Sequence, residues 1–133
     1  MNTNVGNGSC DNLDDEIKKY FNNVMDILQV KFRGHLIFVG IVQDGKLLEY
    51  RKGIREEFAL PPASQDALDV KLSLVVDVAK TLEGMIGSPK IITIQFQNHD
   101  LVVMAISRKR FIYTLSVASS AQMIARLLMA ISL

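Results

Sequence analysis

HLIFVGIVQDGKLLEYRK, residues 35–52, reads as a β-hairpin. From His35 to Gln43 the run is apolar at odd and even positions alike, which predicts a strand covered on both faces. Asp44-Gly45 follows, and glycine supplies the positive φ that a tight turn between two strands needs. The returning segment carries Lys46, Glu49, Arg51 and Lys52, charges that keep a sheet edge from pairing with another chain. A central strand tied to a protected edge strand calls for an antiparallel sheet with a helical layer on each side.

Upstream, residues 1–12 are rich in Asn, Gly and Ser and are expected to form a disordered tail without the features of a signal peptide. Asp11 or Asn12 caps a first helix whose opening turn holds Asp14, Asp15 and Glu16, where acids favour the helix dipole. Leu13, Ile17, Tyr20, Phe21, Val24, Ile27 and Leu28 make its apolar stripe, running to about Val30 before Gly34. Downstream, a loop from Gly53 to Ala63 ends in Pro61-Pro62, and Ser64 caps a helix that Gly87-Ser88-Pro89 stops after Ile86. Three strands follow: Ile91–Gln97, Leu101–Ser107 and Phe111–Val117, turned at Asn98-His99-Asp100 and at Arg108-Lys109-Arg110. Ser119 and Gln122 make a capping box for a last helix with Met123, Ile124, Leu127, Leu128 and Ile131 on its buried face. The expected fold is α+β: a three-layer α/β/α sandwich with a five-stranded antiparallel sheet, element order α-β-β-α-β-β-β-α. Residues 13–133 form a single domain, with no repeat and no linker.

The composition carries a surplus. Counted with glycine and without tyrosine, the apolar share of the 133 residues is about 53%, against a usual 45–50%. A net charge of +1 leaves no basic excess for nucleic acid. The lone Cys10 points to a reducing compartment, and the protein is expected to be cytoplasmic. Phe111–Ile131, with one charge, changes from a strand pattern to a helix pattern midway, so no membrane span is expected.

The second helix accounts for the surplus. Leu68, Leu72, Val75, Ala79, Leu82 and Ile86 fall on one line, and Val70, Leu74, Val78, Thr81 and Met85 on a second about a quarter-turn away. Together they span roughly 200°, twice what one contact needs, with Asp66, Asp69, Ser73, Asp77, Lys80 and Glu83 on the remaining face. The strand Ile91–Gln97 is a sheet edge without charge or internal proline. An unprotected edge beside a doubly apolar helix predicts a dimer. Its expected interface comprises Val70, Leu74, Val78, Thr81, Met85, Ile91, Thr93 and Gln95.

The element order, the Asp44-Gly45 hairpin and the two-faced second helix resemble the roadblock/LC7 family over Leu13–Leu133. GHLIFVGIVQDGKLLEYRKG also looks like the corresponding part of short archaeal proteins with this layout. The resemblance implies a homodimer, or a heterodimer with a sibling, in which second helices pack together and third strands pair into one sheet. It also implies a scaffold or regulator, since some members bind Ras-like GTPases and others serve motor or lysosomal complexes. Longin and profilin-like domains share related folds, and a profilin-like sensor with a closed apolar pocket is the alternative reading.

Nothing in the sequence asks for an enzyme, a cofactor or a metal. His35 and His99 have no cysteine near them, and no phosphate-binding glycine loop occurs. His99 and Asp100 read as turn residues, and Glu56-Glu57 as a solvated pair. Arg51, Lys52, Arg108, Lys109 and Arg110, with Arg55, make a basic partner patch if the hairpin tip and the edge strand share a side.

Overall fold

Asp44 and Gly45 both adopt positive φ, 53° and 77°, the two-residue turn whose twist matches the strands it joins. Around this hairpin a computed structural model describes residues 4–52 and 62–131. The elements are α1 (Asn4–Phe32), β1 (Leu36–Gln43), β2 (Lys46–Lys52), α2 (Pro62–Lys80), α3 (Glu83–Ile86), β3 (Ile91–Gln95), β4 (His99–Ala105), β5 (Arg110–Val117) and α4 (Ala121–Ala130). The five strands make one antiparallel sheet in the order β2-β1-β5-β4-β3. This is the expected α+β sandwich, with the short α3 added.

Both faces of the sheet are roofed, which is why Leu36–Val42 of β1 and Leu101–Ala105 of β4 are apolar at odd and even positions alike. On one face Leu36, Val39, Ile41, Val102, Met104 and Ile112 pack beneath α1 and α4. On the other, Ile37, Phe38, Val42, Leu101, Val103, Phe111 and Tyr113 pack beneath α2. The register of β1 against β5 shifts between Leu36 and Phe38, and this bulge turns Ile37 and Phe38, neighbours in sequence, into the same core. Gly40 sits where a Cβ would come within 2.7 Å of Leu47 Cδ1 and 3.1 Å of the Phe38 and Tyr113 rings, so the aromatic packing there needs glycine.

Several boundaries differ from the sequence reading. The helix expected from Leu13 begins at Asn4, within the expected tail: that segment has no proline, and extending a formed helix costs far less than nucleating one. The second helix is not continuous to Ile86. Thr81 Oγ1 donates to the Val78 carbonyl at 2.6 Å, and the N–H groups of Thr81 and Leu82 make three-residue bonds to Val78 and Ala79, so the chain turns before α3. β3 stops at Gln95 because the Phe96 N–H bonds to the His99 carbonyl, and His99 and Asp100 belong to β4 rather than to the turn. Phe111–Ile131 divides into β5 and α4, and no helix among the described residues is long and apolar enough to cross a membrane. The Glu56-Glu57 pair and Arg55 lie outside the described residues, as do the side chains of the expected caps Asp11, Asn12 and Ser64.

The start of α4 is also built differently. Ser120 occupies the cap position and makes no capping bond, its hydroxyl lying 3.0 Å from His35 Nδ1. The Ala121 N–H instead donates to Asp100 Oδ2 at 2.9 Å, so a buried carboxylate from β4 stabilises the positive end of α4. Met123, expected on the buried face, is exposed; Ala121 and Ala125 take that face with Ile124 and Leu128.

Tyr20 of α1 is buried against the sheet, and its hydroxyl has no protein partner among the described residues. Burial pushes its pKa from 10.0 to about 12. Below pH 10 folded and unfolded chains both keep the proton. Above it the unfolded chain ionises first, so stability falls as pH rises from about 10 through about 12. Tyr20→Phe removes the unpaired hydroxyl. Thermal melts should show it equal to wild type at pH 7, or more stable by about 1 kcal/mol, with a shallower loss above pH 10. A lower melting temperature at pH 7 would show that the hydroxyl is usefully bonded.

Candidate interaction surface

α2 meets the sheet through few side chains. Leu72 and Val76 are buried in the core beneath it, with Leu68 half-buried beside them. Asp69, read from the sequence as part of the polar face, is buried instead and accepts a hydrogen bond from Tyr113 Oη at 3.1 Å. The seat is thus Leu68, Asp69, Leu72 and Val76, and the signal for Val76 was the spacing of four from Leu68 through Leu72.

This seating turns the second apolar line outward. Val70, Leu74 and Val78 are 50%, 58% and 67% exposed, and Met85 beyond the break is 82% exposed. Thr81 is exposed at the break itself. The first line does not stay on the sheet: Val75, Leu82 and Ile86 are exposed as well. Leu82 and Ile86 lie beyond the break at Thr81, off the axis of α2, and Val75 is turned aside from the seat of Leu68, Leu72 and Val76.

β3 lies at the sheet edge, as expected for the first strand of the meander after the second helix, and its outer side has no strand partner among the described residues. Ile92 and Ile94 face the α2 core, while Ile91 packs, half-buried, against the α1/α4 core. Thr93 and Gln95 are exposed, and so is Phe96 just past the strand. Val76 and Lys80 of α2 share a narrow gap with Ile91 and Ile92, so the end of α2 stands beside β3. The last turn of α2 and the start of the open edge are therefore neighbours, while Val70, at the other end of the helix, stands beside Gly45 of the β1–β2 turn.

The basic residues do not gather into one patch. Arg110 stands opposite Gln43 at one end of β1, and its Nε donates to Gln43 Oε1 at 2.6 Å. Lys52 stands opposite Phe38, five residues along, or roughly 17 Å away at about 3.3 Å per residue. The reason is topological: β2 runs away from its turn, carrying Arg51 and Lys52 to the far end of the sheet. There Arg51 donates to Asn22 Oδ1 and lies over the Phe21 ring of α1. At the near end Arg108 and Lys109 share a hollow of about 120 Å³ with Asp44, Asp77 and Lys80, so the local charge is mixed.

No protein-family model matches the sequence, and the search of curated proteins found no match. Among solved structures the chain is similar to a roadblock/LC7 domain from Streptomyces avermitilis, with 14% identity, TM-score 0.56, and coverage of 73% of this chain and 80% of that one. It is also similar to the gliding protein MglB from Thermus thermophilus, at 13% identity and TM-score 0.60 over 85% and 90% of the two chains. An MglB in a tetrameric arrangement superposes with TM-score 0.62 at 13% identity, over 85% and 88%. At such identities the agreement lies in the path of the backbone, and it spans 73–85% of this chain. The chain has the roadblock/LC7 fold.

Proposed function

We propose that this chain is a non-enzymatic dimerisation module of the cytoplasm that binds or regulates a protein partner, with a small Ras-like GTPase as the favoured class. One observation carries the reading: α2 leaves Val70, Leu74 and Val78 exposed, and the uncharged strand β3, beside the last turn of that helix, stands at the sheet edge. Large apolar side chains in a contiguous patch mark an interaction surface. A bare strand edge offers backbone hydrogen bonds to a matching strand, and a second copy satisfies both needs by two-fold symmetry. The tetrameric arrangement of MglB, a protein of similar fold, supports assembly of this kind. The GTPase class rests on the resemblance of the sequence to roadblock/LC7 proteins.

Sedimentation velocity tests the assembly. At micromolar concentration the expected species has about twice the 14.8 kDa mass of the chain, and a single monomeric boundary would refute the proposal. The partner class is tested with the tagged chain: a small GTPase should be recovered with it and bind the purified dimer in a nucleotide-dependent way. The profilin-like alternative needs a closed apolar pocket between the sheet and a helix. Among the described residues, the gap lined by Val76, Ile92, Val103 and Phe111 is about 20 Å³, no larger than a water molecule needs.

A further inference from the structure

We propose that the hollow between β3 and α4 becomes, when two copies join along β3, one site for a free phosphate-type dianion held by Arg126 of both protomers. The inference rests on the dimer proposed above. Thr93 and Gln95 of β3 and Gln122, Ala125 and Arg126 of α4 line this open hollow of about 580 Å³ at the edge of the sheet. Thr93 is the middle residue of β3, so the two-fold axis of an antiparallel β3 pair centred on the strand passes beside it. Arg126, on the same hollow, then stands close to its own symmetry mate.

The spacing closes the site from above. Strands pair about 4.8 Å apart, and α4 packs across both β3 and β4, so its axis lies roughly one strand spacing from the two-fold. Two α4 helices are thereby brought about 10 Å apart, the separation of helices in contact. A roof of two touching helices excludes a bilayer surface, which leaves a small anion in solution as the occupant.

Charge decides what that occupant is. Arg126 is the one charged residue from Phe111 to the end of the sequence, and no carboxylate lines the hollow among the described residues. Asp100, on the same face of the sheet, is buried and bonded to the Ala121 N–H. Two guanidinium groups pressed together with less water repel each other, and the neutral Thr93, Gln95 and Gln122 give no compensation. A doubly charged oxyanion removes the repulsion, and the planar fork of each guanidinium matches two of its oxygens. The amide N–H groups of Gln95 and Gln122 supply further donors.

The test compares dimer dissociation and thermal melting in sodium phosphate and in sodium chloride at matched ionic strength. With phosphate at about ten times its dissociation constant, the wild-type dimer should tighten about tenfold and melt higher. Arg126→Gln should behave alike in the two salts and, in chloride, dimerise at least as tightly as wild type. A wild-type dimer indifferent to phosphate overturns the inference and leaves the dimer standing. A phosphate response that survives in Arg126→Gln also overturns it, since the anion then binds elsewhere. A chain monomeric in both salts overturns the dimer reading, and this inference with it.

Discussion

Leu74→Glu is expected to turn the proposed dimer into a folded monomer, weakening association at least a thousandfold, about 4 kcal/mol. Leu74 lies at the centre of the outward line on α2, between Val70 and Val78, and is 58% exposed in the single chain. Burying such a side chain contributes up to about 2 kcal/mol, and a carboxylate in its place loses that and must shed water without a partner. In a two-fold interface the change occurs twice, once on each side. The single chain loses almost nothing, because the leucine touches little there. Sedimentation velocity reads the association, and circular dichroism confirms the monomer's fold. A Leu74→Glu protein that still dimerises at wild-type affinity removes α2 from the interface.

Leu72→Ala, two positions earlier, should do the reverse and strike the fold itself. Leu72 is 3% exposed and packs in the cluster that includes Phe38, Val103 and Tyr113. Truncating a buried leucine costs about 2–5 kcal/mol, a large part of the roughly 5–15 kcal/mol by which a domain is stable. The cost belongs at the upper end here, because α2 is seated by few residues and little else closes over the gap. Urea unfolding reads it, at a concentration low enough that association does not add to stability. Leu74→Ala under the same conditions should lie within about 0.5 kcal/mol of wild type. If the two alanine variants lose equal stability, the helix is rotated from the seat described.

The contrast between residues 72 and 74 marks how far the sequence could be read. That α2 has two apolar lines is plain from spacing alone. Which line meets the sheet is not, because both are leucine- and valine-rich and periodicity measures separation without direction. Asp69 settles the rotation: its carboxylate reaches the Tyr113 hydroxyl, 44 residues away in the chain, and no local pattern announces that pairing. The capping box at Ser119 and Gln122 failed for the same reason, since the cap of α4 comes from Asp100 across the sheet. The basic patch dissolved because the direction of β2 separates by the length of a strand what looked like one cluster.

By itself the sequence determined the class of the fold. The doubly apolar runs, the Asp44-Gly45 turn, the charged β2 edge and the bare β3 edge are local statements of burial and backbone freedom, legible without a partner residue. The tertiary structure alone decided which side of α2 looks outward, which carboxylate caps α4, and that Arg126 shares a hollow with Thr93 and Gln95. Each of these depends on residues far apart in the chain meeting across the sheet, and such contacts are set by the packing of whole elements.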